Sequence, residues 1–244
     1  MLTQIGRRRI LIAALAGAGF AALGITVASS HATSPDSTTA TSGTPVELPM
    51  SNLNTPAGYT ERLKAGVSYQ ASAFPIPLRV TPPDGTWGGA QWKTSSHGKP
   101  AFGWAALAHG PVDKPPRGLI EMLTAFGPTP PVATILARLR SAGGGATFEK
   151  TTRTSLAGLL GWEIDGKVFG QFGHGFVPFT PKTGGASPPD DYKLEPGEAF
   201  RIIVLDVRGK RVVLILDSAA LPADQFPAFL TSANRLLKTL KFPA

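Results

Sequence analysis

Cysteine is absent from the 244 residues, which excludes disulfide scaffolds, Cys-ligated zinc, iron-sulfur clusters, thiol catalysis and lipidation at an N-terminal cysteine. Charge is also sparse. Charged residues are 16% of the chain, against about 25% in an average domain, and Lys and Arg are scattered. No stripe of cations among aromatics points to nucleic acid. The Gly-x-Ser-x-Gly elbow of a serine hydrolase is missing, and so is a glycine loop followed by Lys-Ser/Thr for holding phosphate. His97, His109 and His174 lack the i, i+4 spacing that puts two ligands on one metal, and each reads as a loop or surface residue. Nothing in the pattern calls for a metal or a cofactor.

The first segment present is an export signal. Arg7, Arg8 and Arg9 form a basic start, Ile10 to Ala28 is apolar without a charge, and Ser30-His31-Ala32 supplies small residues for cleavage after Ala32. The Arg7-Arg8-Arg9-Ile10-Leu11 run resembles a twin-arginine signal, with Gly6 and Ile12 departing from that pattern, so the route stays open. An uncleaved signal anchor in residues 1–32 is the competing reading, and it is the only membrane contact the sequence suggests. Loss of the three arginines takes the net charge from +8 to +5, so much of the basic character belongs to targeting.

Residues 33–55 are rich in Ser, Thr and Pro and poor in large apolar side chains, the composition of a disordered linker. A single globular domain is expected over 56–244. Its 28 glycines and 23 prolines belong to the whole chain and predict many turns. Short strands are expected at Ile76 to Thr81, Ala101 to Ala108 and Gly118 to Ala125. A helix follows over Pro130 to Ser141, capped by Thr129, with Val132, Ile135, Leu136 and Leu139 on one face and Gly143-Gly144-Gly145 ending it. Leu156 to Ile164 and Lys167 to Phe172 read as a hairpin turning at Asp165-Gly166. Phe200 to Val207 and Arg211 to Asp217 read as a second hairpin, apolar on both faces and therefore in need of cover on both sides. The last helix, near Asp224 to Leu240, carries Phe226, Phe229, Leu230, Ala233, Leu237 and Leu240 at helical spacing, with Pro227 in its first turn. The fold class is α+β, a mainly antiparallel sheet covered by helices.

Pro83-Asp84-Gly85-Thr86-Trp87 after the strand Leu78 to Thr81, then the Phe200 to Asp217 hairpin, then a helix closing in Leu240-Lys241-Phe242, resembles the Mog1/PsbP-like sandwich found in many small exported actinobacterial proteins. Thr86 is inserted before Trp87 relative to that family's turn. The resemblance implies the fold and a secreted binding or accessory role, and it brings no catalytic motif.

The segment Gly170 to Ala199 is longer than an ordinary connection and holds Phe172, His174, Phe176, Phe179 and Tyr192 among Gly and Pro. Together with Trp92, read as an exposed contact, these are the candidate binding residues. The plainer reading is that the rings cap the sheet edge and fill the core. Carboxylates gather as Asp190-Asp191 with Glu195 and Glu198, as Glu163 with Asp165 across a turn, and as Asp206 with Asp217 at strand ends. Their spacing fixes no acid and base pair for glycoside hydrolysis. Three functions follow as expectations. The first is an exported, non-catalytic cell-envelope protein binding an apolar ligand or an envelope protein partner. The second is a secreted hydrolase of cell-wall polymer using Glu195 and Glu198, and the third is a membrane-anchored accessory or assembly factor.

Overall fold

The computed structural model describes residues 44–51, 61–111, 116–141, 145–169, 173–180, 190–219 and 221–243. Residues 1–32, read above as an export signal, most of residues 33–55 and Phe172 lie outside the described residues. In chain order the elements are β1 (Val46–Glu47), β2 (Glu61–Arg62), β3 (Tyr69–Gln70), β4 (Arg79–Val80), β5 (Trp87–Ser96), β6 (Lys99–His109) and β7 (Leu119–Ala125). Then come α1 (Val132–Ser141), β8 (Ala146–Phe148), β9 (Thr152–Leu156), β10 (Leu159–Val168), β11 (His174–Phe176) and β12 (Tyr192–Leu194). The chain closes with β13 (Ala199–Val207), β14 (Lys210–Asp217) and α2 (Phe226–Leu237).

Among these residues the main sheet runs β2-β5-β6-β7-β14-β13-β10-β8, with β9 on the same edge of β10 as β8. Every pairing in it is antiparallel. Three of its hairpins share one turn design. His97-Gly98, Ala157-Gly158 and Arg208-Gly209 each put two residues at positive φ between paired strands, the twist that matches a two-residue hairpin.

The strand alternation sorts the apolar side chains onto two faces. On one, Leu107, Met122, Leu214 and Leu205 pack with Phe226, Phe229, Ala233, Leu236 and Leu237 of α2. On the other, Trp104, Leu123, Val213 and Ile202 pack with Val132, Ile135, Leu136 and Leu139 of α1. The mainly antiparallel α+β reading therefore holds. No helix among the described residues is long and apolar enough to cross a membrane.

Four local expectations are corrected. Asp165-Gly166 does not turn. It lies inside β10, where Gly166 is required because a methyl there would collide with the Phe200 ring and the Thr147 carbonyl. Thr129 does not cap α1, since its hydroxyl accepts the Arg211 N–H at 2.9 Å and ties the helix approach to β14 instead. The strand expected over 76–81 shrinks to the two residues of β4, while β5, unanticipated, spans ten. The fold also reaches into the linker composition. β1 pairs in parallel with β3, Leu48 is buried, and Glu47 accepts the Ser72 N–H at 2.7 Å and bonds from Gln70 and Gln91.

Candidate functional site

β11 and β12 form a small sheet of their own, pairing His174 with Leu194 and Phe176 with Tyr192. Strand alternation turns His174, Phe176, Tyr192 and Leu194 inward and leaves Lys193 exposed. The pair covers the α1 face of the main sheet. Beneath it, Trp92 and Trp104 face each other across β5 and β6 with rings stacked 5.5 Å apart. Tyr192 stacks on Trp104 at 6.5 Å, and Phe102 stacks on Phe179 at 5.8 Å.

The reading of Trp92 as an exposed contact is thereby corrected: it is 3% exposed, because its even position on β5 points into the α1 face. The surface reading of His174 is corrected as well, since the ring is 1% exposed and meets Phe148 edge-on at 5.5 Å. Phe176, Phe179 and Tyr192 are likewise core side chains. His97 sits in an exposed turn, and His109 ends β6 half-buried.

Polar groups fasten the cover. Asp190, fully buried, accepts the Phe179 and Thr180 N–H groups on Oδ2 at 2.7 and 2.9 Å. Arg138 of α1 donates to the Phe179 carbonyl. His174 donates from Nε2 to the Leu139 carbonyl at 3.1 Å, so that in the neutral ring Nδ1 is the acceptor. That Nδ1 and Asp190 Oδ1 are both buried without a donor. Each such acceptor costs about 1–3 kcal/mol unless something fills it.

Two further carboxylates lie on this face. Asp217 takes the Tyr192 hydroxyl on Oδ2 and the Ala219 N–H on Oδ1 at 2.9 Å. Glu121, 2% exposed, sits one strand over, opposite Ile215. Glu163, Asp165 and Glu198 are engaged in structural bonds. Arg201 grips Asp165 through two bonds of 2.6 and 2.7 Å and reaches Glu163 at 3.3 Å. Glu163 and Asp165 share one face of β10 and do not straddle a turn, and burial pushes the Glu163 carboxyl above its ordinary range despite Arg201. Glu198 accepts the Glu195 N–H at 2.7 Å, closing the turn before β13.

On the opposite face, where β5 begins and β6 ends, Arg62, Thr86, His109, Gly110, Pro111 and Arg117 line an open cleft of about 240 Å³. Arg62 is held there by bonds of 2.6 and 3.3 Å to the Gly85 and Gly110 carbonyls. His109 packs against Trp87 at 5.0 Å and Phe229 at 6.2 Å. Its Nδ1 is buried without a partner. Burial, aided by Arg117 and Arg235 and opposed by Asp84, pushes the imidazole below its ordinary range.

No protein-family model matches this chain. A search of curated proteins also finds no match. Among solved structures, the chain is similar to cyanobacterial PsbP from Synechocystis sp. PCC 6803, at 9% identity and a TM-score of 0.38, over 76% of this chain and 93% of that one. It is also similar to LpqN of Mycobacterium tuberculosis, a protein involved in cell envelope biogenesis, at 15% identity and a TM-score of 0.30, over 82% and 90%. The first bears the family name that the sequence resemblance gave. Likeness this distant transfers no function, and the reading of this chain rests on its own residues.

Sequence reasoning missed Glu121 and the cleft. Glu121 could have been found as the lone carboxylate at an alternate position of an apolar strand. The cleft had no local signal for Arg62, which reaches His109 through the pairing of β2, β5 and β6, while backbone bonds ahead of β7 bring Arg117 to His109.

Proposed function

We propose that this is an exported protein of the cell envelope that binds an apolar ligand carrying a hydrogen-bond donor, between the β11–β12 cover and the α1 face of the sheet. Export rests on the basic, apolar and small-residue order of residues 1–32. Binding rests on one observation: His174 Nδ1 and Asp190 Oδ1 are buried with no hydrogen-bond partner, His174 edge-on to Phe148 and Asp190 bonded to the backbone of Phe179, whose ring stacks on Phe102. An apolar site with a few placed polar groups is the usual form of a small-molecule site. A hydroxyl or amine on the ligand would fill either acceptor, while the rings would take its apolar body. The cover suits an entry role because it belongs to its own two-stranded sheet and is fastened by a few polar bonds.

The test is native mass spectrometry of the protein recovered from its envelope fraction, followed by titration with a fluorescent long-chain alcohol. Excess mass lost on denaturation and saturable probe binding are expected. Asp190→Asn can keep an oxygen toward the Phe179 and Thr180 N–H groups and turns the unfilled acceptor into a donor. Probe affinity should fall about tenfold or more, the scale of one lost hydrogen bond in a dry site, while the melting temperature stays close to wild type. Equal probe affinity in that variant would remove Asp190 from the site, and absence of saturable binding would overturn the reading.

A further inference from the structure

The cleft on the α2 side carries a second site, unconnected with the aromatic cover. We infer that it binds an oxyanion group, a carboxylate or a phosphate, between Arg62, Arg117 and His109. Three features converge on this. First, Arg62 is already positioned. One guanidinium nitrogen, Nη1, is spent on the Gly85 and Gly110 carbonyls. A guanidinium has five N–H donors in a fixed plane, so Nη2 and Nε remain for a planar or tetrahedral acceptor. Second, Arg117 lines the same cleft from the far side of Gly110, where its stem lies 3.4 Å from the place a Gly110 Cβ would take. Third, His109 lines the same cleft, its Nδ1 is buried without a partner, and its ring is held by Trp87 and Phe229.

The charge around the cleft favours an anion. Asp84 is the carboxylate acting on His109, and it is engaged by the Thr86 N–H at 3.0 Å, the Thr86 hydroxyl and Arg235 at 3.8 Å. Among the described residues, Arg62 and Arg117 line the cleft, and Arg117 and Arg235 act on His109 beside Asp84. Volume sets the ligand size: about 240 Å³ falls below the roughly 300–1,000 Å³ of sites that take drug-sized molecules. A single anionic group fits, or the anionic end of something larger that extends through the open side.

Protonation is linked to binding. With no anion present, burial, aided by Arg117 and Arg235 and opposed by Asp84, lowers the imidazole below its ordinary range. An anion beside the ring favours the imidazolium, so binding takes up a proton and tightens as the pH falls through the histidine range, around 6.5 and below.

The experiment is an NMR titration of the full chain, reading the His109 ring resonances, with inorganic phosphate, acetate and sulfate added separately. Saturable shifts with phosphate, acetate or both are expected, and the stronger of the two identifies the group the cleft prefers. Sulfate keeps its charge across this range, so a several-fold tighter sulfate affinity at pH 5.5 than at pH 7.5 isolates the histidine proton. Arg117 is exposed, so Arg117→Gln keeps the fold, checked by an unchanged melting temperature, and should weaken every anion about tenfold. Absence of saturable shifts with all three anions overturns the site. So does equal affinity in Arg117→Gln, which would mark the shifts as general ionic strength.

Discussion

Tyr192 and Asp217 show how a hydroxyl can serve a carboxyl group in an apolar interior. Asp217 is fully buried beside rings and aliphatic chains, and the Tyr192 hydroxyl serves one of its oxygens while the Ala219 N–H serves the other. Tyr192→Phe removes the first of these donors and leaves the ring in place. The expected loss is about 1 kcal/mol of unfolding free energy, the net contribution of one hydrogen bond, measured by urea denaturation. A loss within error would mean that water or a rearranged donor reaches Asp217. The aromatic candidates were partly legible at this scale. Composition located the rings of the long segment, but only the α1 face of the sheet decides that Phe176 and Tyr192 point into the core. Asp165-Gly166 misled for a physical reason. Its glycine answers a close approach of Phe200, a contact from another strand that no local pattern announces.

Among the elements, periodicity located both helices and the β13–β14 hairpin, because each has an apolar stripe or a two-sided apolar run long enough to read. It failed on β5, whose Gly88, Gly89 and Gln91 interrupt the apolar pattern although all three are buried. Gly89 is there to admit Leu48 and Leu63, each 2.8 Å from where its Cβ would stand. Gln91 is there to bond the Leu48 carbonyl at 2.7 Å and the Ala73 N–H at 2.7 Å. This links β5 to β1, and Glu47 is the fastening. Burial alone would raise the Glu47 carboxyl, yet bonds from Ser72, Gln91 and Gln70 hold it below its ordinary range. A depressed carboxylate contributes stability at neutral pH that is lost as the pH falls below about 4. The melting temperature of Glu47→Gln should therefore lie below wild type at pH 7, and the gap should narrow by pH 3. A gap that persists unchanged would assign the effect to shape and not to charge.

Across the whole molecule, the sheet divides by chain order. β2, β5, β6 and β7 come from the first part, and β14, β13, β10 and β8 from the second. Neighbours within each part are joined through short hairpins or nearby pairing, and the two parts meet along β7 and β14, where Leu123 pairs with Val213 and Leu119 with Asp217. The two proposed sites respect this division unequally. The residues that line the oxyanion cleft all come from the first part, with Phe229 and Arg235 of α2 supporting His109 from the second, whereas the aromatic cover sits over strands from both and takes Asp190 and Tyr192 from the second. Loss of the second part should therefore abolish binding of the long-chain alcohol.

That seam also has a history during synthesis. The seven residues of β7 are all buried in the finished protein, and their partner is not made until the chain is nearly complete. Until β14 docks, one row of β7 backbone donors and acceptors faces outward beside apolar side chains, open to a strand from another chain. A chain stopped at Gly209 should accordingly self-associate at concentrations where the full chain is monodisperse, as read by light scattering. For a protein exported as proposed above, the time between emergence of Ala125 and emergence of Asp217 is the interval in which a holding chaperone would have most to protect.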